Sequence, residues 1–219
     1  DPASLTQAEA PAATLTSAAE EAFADIDRVK IVFTDGVFDS AASDDLALAG
    51  IEVEQLVDAL ARDIHWGREL YGALEAAGQV PVQRSLATLN TAYADAGVMI
   101  RVKGAVAKPV HLIYRYESGD KDLMLHHCIK MDDGADLTLL ESGTAGARLN
   151  SVLEVDVADG ARFHHVRIQG RDHDRRVNTH VFARIGEESL FKSFTLAMNG
   201  VLTRNEVVMD IVGHSANAH

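Results

Sequence analysis

The chain has 219 residues, 47% of them apolar and 24% charged, with a formal net charge of -13. That is the balance of a globular protein with a full core rather than of a disordered chain. The acidic surplus argues against non-specific nucleic-acid binding and against attraction to anionic lipid, so neither nucleic acid nor a membrane is expected as a partner. A single cysteine leaves no intramolecular disulfide and suits a reducing compartment. No apolar run is long enough to span a membrane and no secretory signal is recognisable.

Residues 1–27 are rich in alanine, and Ser17 ahead of Ala-Ala-Glu-Glu-Ala-Phe predicts a short capped helix. Residues 28–39 predict two short strands about Asp35-Gly36, a hairpin dipeptide, followed by a loop over 40–50. From Ile51 to Ala77, Val53, Leu56, Val57, Leu60, Ile64, Leu70 and Leu74 recur at three- and four-residue spacing, which predicts helix interrupted at Gly67, Gly72 and Gly78. Within it, His65 and Trp66 are expected to pack or cap rather than bind a ligand. Residues 85–96 predict a second short helix, and Pro109 sits at an allowed position before the strand HLIY. These boundaries divide the chain into a small helical and α+β N-terminal part, 1–84, and a repetitive β core, 85–219.

The core repeats. Strand-like blocks begin at Val98, Leu125, Ser151, Thr179 and Asn205, at intervals of 27, 26, 28 and 26 residues. Most are followed by a turn and a second strand, as in LHHCIKM-DDGA-DLTLLE and SVLEVDV-ADGA-RFHHVRIQ. A period of two strands and two turns with no helix between them predicts a mainly β protein, a single-stranded parallel β-helix of about 26–28 residues per coil. Stacking the blocks places Leu125, His127, Ile129 and Met131 under Ser151, Leu153, Val155 and Val157, then under Thr179, Val181, Ala183 and Ile185. Alternate residues on a strand face opposite ways, so this mostly apolar column is the expected interior. The other parity carries His126, Cys128 and Lys130, then Val152, Glu154 and Asp156, then His180, Phe182 and Arg184. It reads as an outer face, on which Lys130, Asp156 and Arg184 alternate in sign.

Ten histidines invite a metal reading. His126 and Cys128 share a face and could meet Glu154 one coil on, but no recognised ligand spacing supports this, so a satisfied surface or interface pair is the expectation. The thiol has no evident basic partner that would make it a nucleophile. The apolar parity shifts between Phe163 and Val166, which predicts a bulge or corner near His164 and His165. The segment GRDHDRR, 170–176, reads first as a solvated turn and second as a partner-binding loop, with His173 inside it and His180 just beyond. Asp132, Asp133 and Asp159 sit where turn chemistry puts them. There is no nucleophile elbow, phosphate loop or dinucleotide fingerprint. No catalytic, cofactor-binding or metal-ligating residue is therefore assigned.

Four stretches carry a family resemblance: VFTDGVFDSAAS (32–43), SLATLNTAYADAGVMIRV (85–102), DDGADLTLLE (132–141) and SFTLAMNGVLTRNEVVMDIVG (193–213), the last with Leu202-Thr203-Arg204-Asn205-Glu206-Val207 at its centre. They resemble the SufB/SufD family of iron–sulfur cluster assembly scaffold proteins, and the segment around Asp35 favours the SufD branch. The resemblance implies a right-handed parallel β-helix flanked by helical domains. It also implies a non-catalytic role in a cytosolic complex with a SufB-type scaffold and a SufC-type ABC ATPase. No cofactor is expected on this chain, the iron–sulfur cluster belonging to the full complex. The family's cluster and ATPase contacts lie in later coils and a C-terminal helical domain, so no functional family residue maps onto a position here. The chain begins without methionine and stops at His219, one turn beyond Gly213-His214-Ser215, and is expected to be a fragment lacking a C-terminal part. A homodimer through the strand edges is a possible assembly. Two other readings compete with the scaffold: a carbohydrate-active β-helix enzyme, suggested by fold alone and discouraged by 5% aromatic residues, and an interaction module with no cluster role.

Overall fold

A computed structural model describes residues 22–46, 50–117, 122–143, 147–169 and 174–219. The helix expected after Ser17 and positions 170–173 of the charged segment lie outside the described residues. Two sheets carry the fold. The first collects β1 (Val29–Thr34), β2 (Val37–Phe38), β5 (Val110–Arg115), β7 (Asp136–Gly143), β9 (Arg162–Gln169), β11 (Leu190–Ala197) and β13 (Asn217–Ala218) in the order β13-β11-β9-β7-β5-β1-β2. The second collects β3 (Glu52–Gln55), β4 (Val98–Val102), β6 (Asp122–Met131), β8 (Arg148–Val157), β10 (Arg176–Ile185) and β12 (Leu202–Ile211) in the order β12-β10-β8-β6-β4-β3. From β4 onward the chain visits the sheets alternately, and successive coils pair in parallel. This is the expected parallel β-solenoid.

The register is the one that the spacing of the blocks demands. Leu125 pairs with Ser151 and Ser151 with Thr179, and the pairing continues without interruption to Met131–Val157–Ile185. Leu125, Ile129, Leu153, Val155 and Ile185 are fully buried and belong to one continuous core between the sheets. The turns stack as well. Gly134, Gly160, Glu188 and Ser215 occupy the same place in successive turns, all with positive φ. Gly134 N–H donates to the Asp159 carbonyl at 2.9 Å, Gly160 to Glu187 at 2.8 Å, and Glu188 to His214 at 2.9 Å. Gly143 has φ +100° and lies so close to Tyr114 that a Cβ would sit 1.9 Å from its carbonyl oxygen, so glycine is required there.

The N-terminal segment closes one end of the stack. β1 adds to β5 in parallel, and β2 turns back against β1 around Asp35 and Gly36, both at positive φ as the hairpin reading requires. Residues 51–77 are less helical than their spacing suggests. Val53 and its neighbours form β3, antiparallel to β4, with Glu52 opposite Arg101. An open strand edge is covered this way, and that gain outweighs the helical pattern. Helix follows only in short pieces, α1 (Leu56–Ala61), α2 (Gly67–Leu70) and α3 (Ala73–Ala77), and then in α4 (Ser85–Tyr93). His65 caps α2 by accepting from Gly67 N–H at 3.0 Å.

These helices lie against the outer face of the second sheet and change its character. Ala87 of α4 packs on Val152 and Phe182, and Asn90 donates to the carbonyls of Leu125 and Asn150 at 3.1 and 2.8 Å. His126, Cys128, Val152 and Glu154 are accordingly at 0% exposure instead of forming a solvated face. Only the row toward the turns stays wet, where Arg184 makes a bidentate bond to Asp156.

Val155→Asp places a charge in the sealed core column with no partner. The expected cost exceeds about 4 kcal/mol, a large share of a domain's stability. Lys192→Ala on an exposed position should stay within about 0.5 kcal/mol. Urea unfolding of both variants checks this, and a Val155→Asp protein as stable as its parent would mean the column is not the core.

Candidate functional site

Two buried polar clusters flank β6, one on each side. Outward, His126 and Cys128 are two positions apart on one face of β6, and Glu154 is the register partner of Cys128 on β8. The outer pair expected from the sequence therefore does meet Glu154, but beneath the helices. A His126 ring nitrogen, the Cys128 sulfur and a Glu154 oxygen all lie within 4.8 Å of one another. His126 Nε2 is 2.7 Å from Glu154 Oε1, while Glu154 Oε2 accepts from the backbone N–H of Leu74 at 2.8 Å and of Glu75 at 3.0 Å. The Gly72 N–H also donates to Oε1. Glu154 thus holds the start of α3 on the solenoid. The Tyr71 ring lies against His126, with centroids 4.3 Å apart and the planes tilted by 37°. Burial, then the neighbouring Cys128 and Glu154, push the Tyr71 hydroxyl up to about 12. Burial and Glu154 likewise push the Cys128 thiol well above its ordinary range, so at neutral pH it is protonated and not poised as a nucleophile.

Inward, Tyr114, His127, Glu141, His165 and Arg167 meet inside the coil stack. Glu141 Oε1 accepts from Arg167 Nη2 at 2.7 Å and from His165 Nε2 at 2.8 Å, and Oε2 accepts from the Tyr114 hydroxyl at 2.9 Å. Burial opposes the Glu141 charge, but Arg167 and the bonds from His165 and Arg167 win and hold the carboxyl well below its usual range. His127 Nε2 lies 3.0 Å from the Tyr114 oxygen, and its Nδ1 accepts from Val98 N–H at 3.2 Å. An Nδ1 that accepts from a backbone N–H cannot carry a proton of its own, and burial pulls His127 down to about 4. A cavity beside this network, lined by Tyr114, Glu141, Arg167 and Thr179, measures about 10 Å³. That is room for about one water and not for a sugar.

The bulge expected near His164 and His165 is absent. β9 pairs in unbroken register with β7 and β11, and Phe163, His165, Arg167 and Gln169 all point inward. The apolar parity shifts there because the interior itself turns polar. Sequence reasoning missed Glu141, Arg167 and Tyr114 as a set. The signal was present: Glu141 continues the inward parity of Leu137 and Leu139, and Arg167 stands one coil later in register with it. His180 is buried beside Phe182, with Glu206 at 3.7 Å, while Arg84 reaches Glu206 at 2.7 Å.

At the far end of the stack, Val207, Met209 and Ile211 follow in register on Val181, Ala183 and Ile185. The inner three are at most 3% exposed; the outer three are 44%, 41% and 52% exposed. β12 therefore offers an apolar strand edge of the kind that a further coil or a partner strand covers.

Residues 114–219 match the family model described as SUF system FeS cluster assembly, SufBD core domain. The coils resemble a SufBD core. The matched stretch runs from the end of β5 to the C-terminus and includes both buried clusters. It supports a part in iron–sulfur cluster assembly. No curated protein matches the chain. Among the described residues no helix is long and apolar enough to cross a membrane.

Two outcomes test the inner cluster. Glu141→Gln leaves Arg167 buried without its counter-charge and should cost about 3–5 kcal/mol. Folded His127 stays neutral down to about pH 4, whereas the unfolded imidazole protonates near 6.5. The unfolded chain therefore takes up the proton first, and stability present above pH 6.5 is lost as pH falls toward 4, by about 1.4 kcal/mol per unit for one group. Urea midpoints measured from neutral pH downward should fall accordingly; a flat profile contradicts a neutral buried His127.

Proposed function

We propose that this chain is a non-catalytic scaffold subunit of SufD type in iron–sulfur cluster assembly, acting in the cytoplasm with a SufB-type scaffold and a SufC-type ATPase. The match of the coil region to the SufBD core carries this reading. The geometry agrees with a supporting role. The interior is filled by apolar columns and a fixed Glu141–Arg167 ion pair, with a cavity of about 10 Å³ beside it. The apolar edge at β12 gives a partner a surface to cover, as a scaffold requires. In this reading residues 1–84 are an N-terminal part and 85–219 the core. The cluster is cargo, held by the assembled complex, and this chain supplies no catalytic residue.

Co-expression of the full chain with SufB-type and SufC-type proteins under anaerobic conditions tests the reading, followed by assay of iron and acid-labile sulfide in the purified material. A three-component complex carrying both is the expected result. Failure to retain either partner, together with no iron, would remove the scaffold assignment and leave a β-solenoid of another function.

A further inference from the structure

We propose that His126, Cys128 and Glu154 bind one thiophilic divalent cation of the zinc class at the seam between the N-terminal helices and the solenoid. The inference stands on local geometry and does not depend on the scaffold reading.

The donor set is a sulfur, an imidazole nitrogen and a carboxylate oxygen, the three kinds of atom that zinc takes from proteins. With bonds of about 2.0–2.3 Å, neighbouring ligand atoms in a tetrahedral shell lie roughly 3.3–3.8 Å apart. The three atoms here lie within 4.8 Å of one another, so small side-chain adjustments bring them to the spacing of three corners of such a shell. The platform is rigid: His126 and Cys128 share one face of β6, and the parallel ladder sets Glu154 beside Cys128. Three protein ligands leave one coordination position, as in sites that keep a water or take a further ligand.

His126 differs from His111, His127 and His165. His111 uses both nitrogens, accepting from Arg28 Nε at 2.9 Å and meeting Ser142 Oγ at 2.8 Å. His127 uses both, toward Val98 and Tyr114, and His165 uses both, toward Ser193 and Glu141. His126 uses only Nε2, and its buried Nδ1 has no hydrogen-bond partner. In the ion-free protein Nε2–H donates to Glu154, and because Nδ1 has no other partner the ring proton can move there and leave the Nε2 lone pair for a cation. An unmet buried nitrogen is a feature that asks for an explanation.

The surroundings fit an ion as well. Glu154 is oriented by the backbone N–H groups of Gly72, Leu74 and Glu75, the kind of outer support that positions a ligating carboxylate. Leu56, Leu70 and Met99 pack around Cys128, and Tyr71 lies against His126, so the site is shielded from bulk solvent. Binding balances charge: Cys128 releases its S–H proton to solvent, a sulfur–metal bond forms, and thiolate plus carboxylate neutralise the two positive charges. Glu154 exchanges its bond from His126 for the ion. No electron is transferred.

The test is to strip the full chain with a chelator and titrate it with Co²⁺, then with Zn²⁺. The expected result is one ion per chain, a sulfur-to-cobalt charge-transfer band, bleaching of that band by Zn²⁺, and one proton released per ion. Cys128→Ser, checked for fold by circular dichroism, should lose the band and bind at least about tenfold more weakly. Absence of the band in the parent protein overturns the proposal. So does binding unchanged in Cys128→Ser, which would place the ion on other residues such as the surface histidines. Should the serine variant fail to fold, the presence or absence of the band in the parent decides.

Discussion

Backbone hydrogen bonds between successive parallel strands lock each coil onto the last in a single register, and every side-chain cluster in this protein follows from that register. Slipping one strand by one residue would turn Leu153, Val155 and Val157 outward and drive Glu154 and Asp156 into the core. Such a slip costs far more than any one pairing gains, so the ladder is fixed over its whole length. The turns reinforce it, because each donates a hydrogen bond to the next.

Once the ladder is fixed, β6 becomes a partition between two polar environments. His127 faces inward to Tyr114 and the Glu141–Arg167 pair, while His126 and Cys128 face outward to Glu154. The inner cluster is closed: each of its histidines has both nitrogens engaged, and the buried carboxylate has a buried guanidinium beside it. Such a network stabilises chiefly by not being broken, since removing one partner strands the other. The outer cluster is less complete. Its carboxylate ties the helices to the solenoid, but its imidazole retains an unused nitrogen.

Much of the fold was legible in the chain. The period of 26–28 residues, the inward parity of Leu125 and Val155, the hairpin at Asp35-Gly36 and the alternating row of Lys130, Asp156 and Arg184 all follow from local spacing, because a solenoid buries its residues against near copies of themselves. The N-terminal part was harder to read. Residues 52–55 have a helical neighbourhood but pair as a strand, since the open edge of β4 takes precedence over intrinsic preference. The clusters were legible only in part. Cys128, His126 and Glu154 could be placed together from parity and period, whereas Glu141 and Arg167 were obscured by the assumption that an inward position is apolar.

By itself the sequence determined the architecture: two strands per coil, their register, and the likeness of the coils to a SufBD core, because repetition writes long-range contacts into a local period. Only the tertiary structure decided what lies beneath what. Residues alternating outward on a strand are solvated unless another element covers them, and nothing in the period says that α1 to α4 will pack on that face. That packing turned an expected surface pair into a buried cluster, and the same three-dimensional accounting showed which histidine nitrogens are spoken for and which one is not.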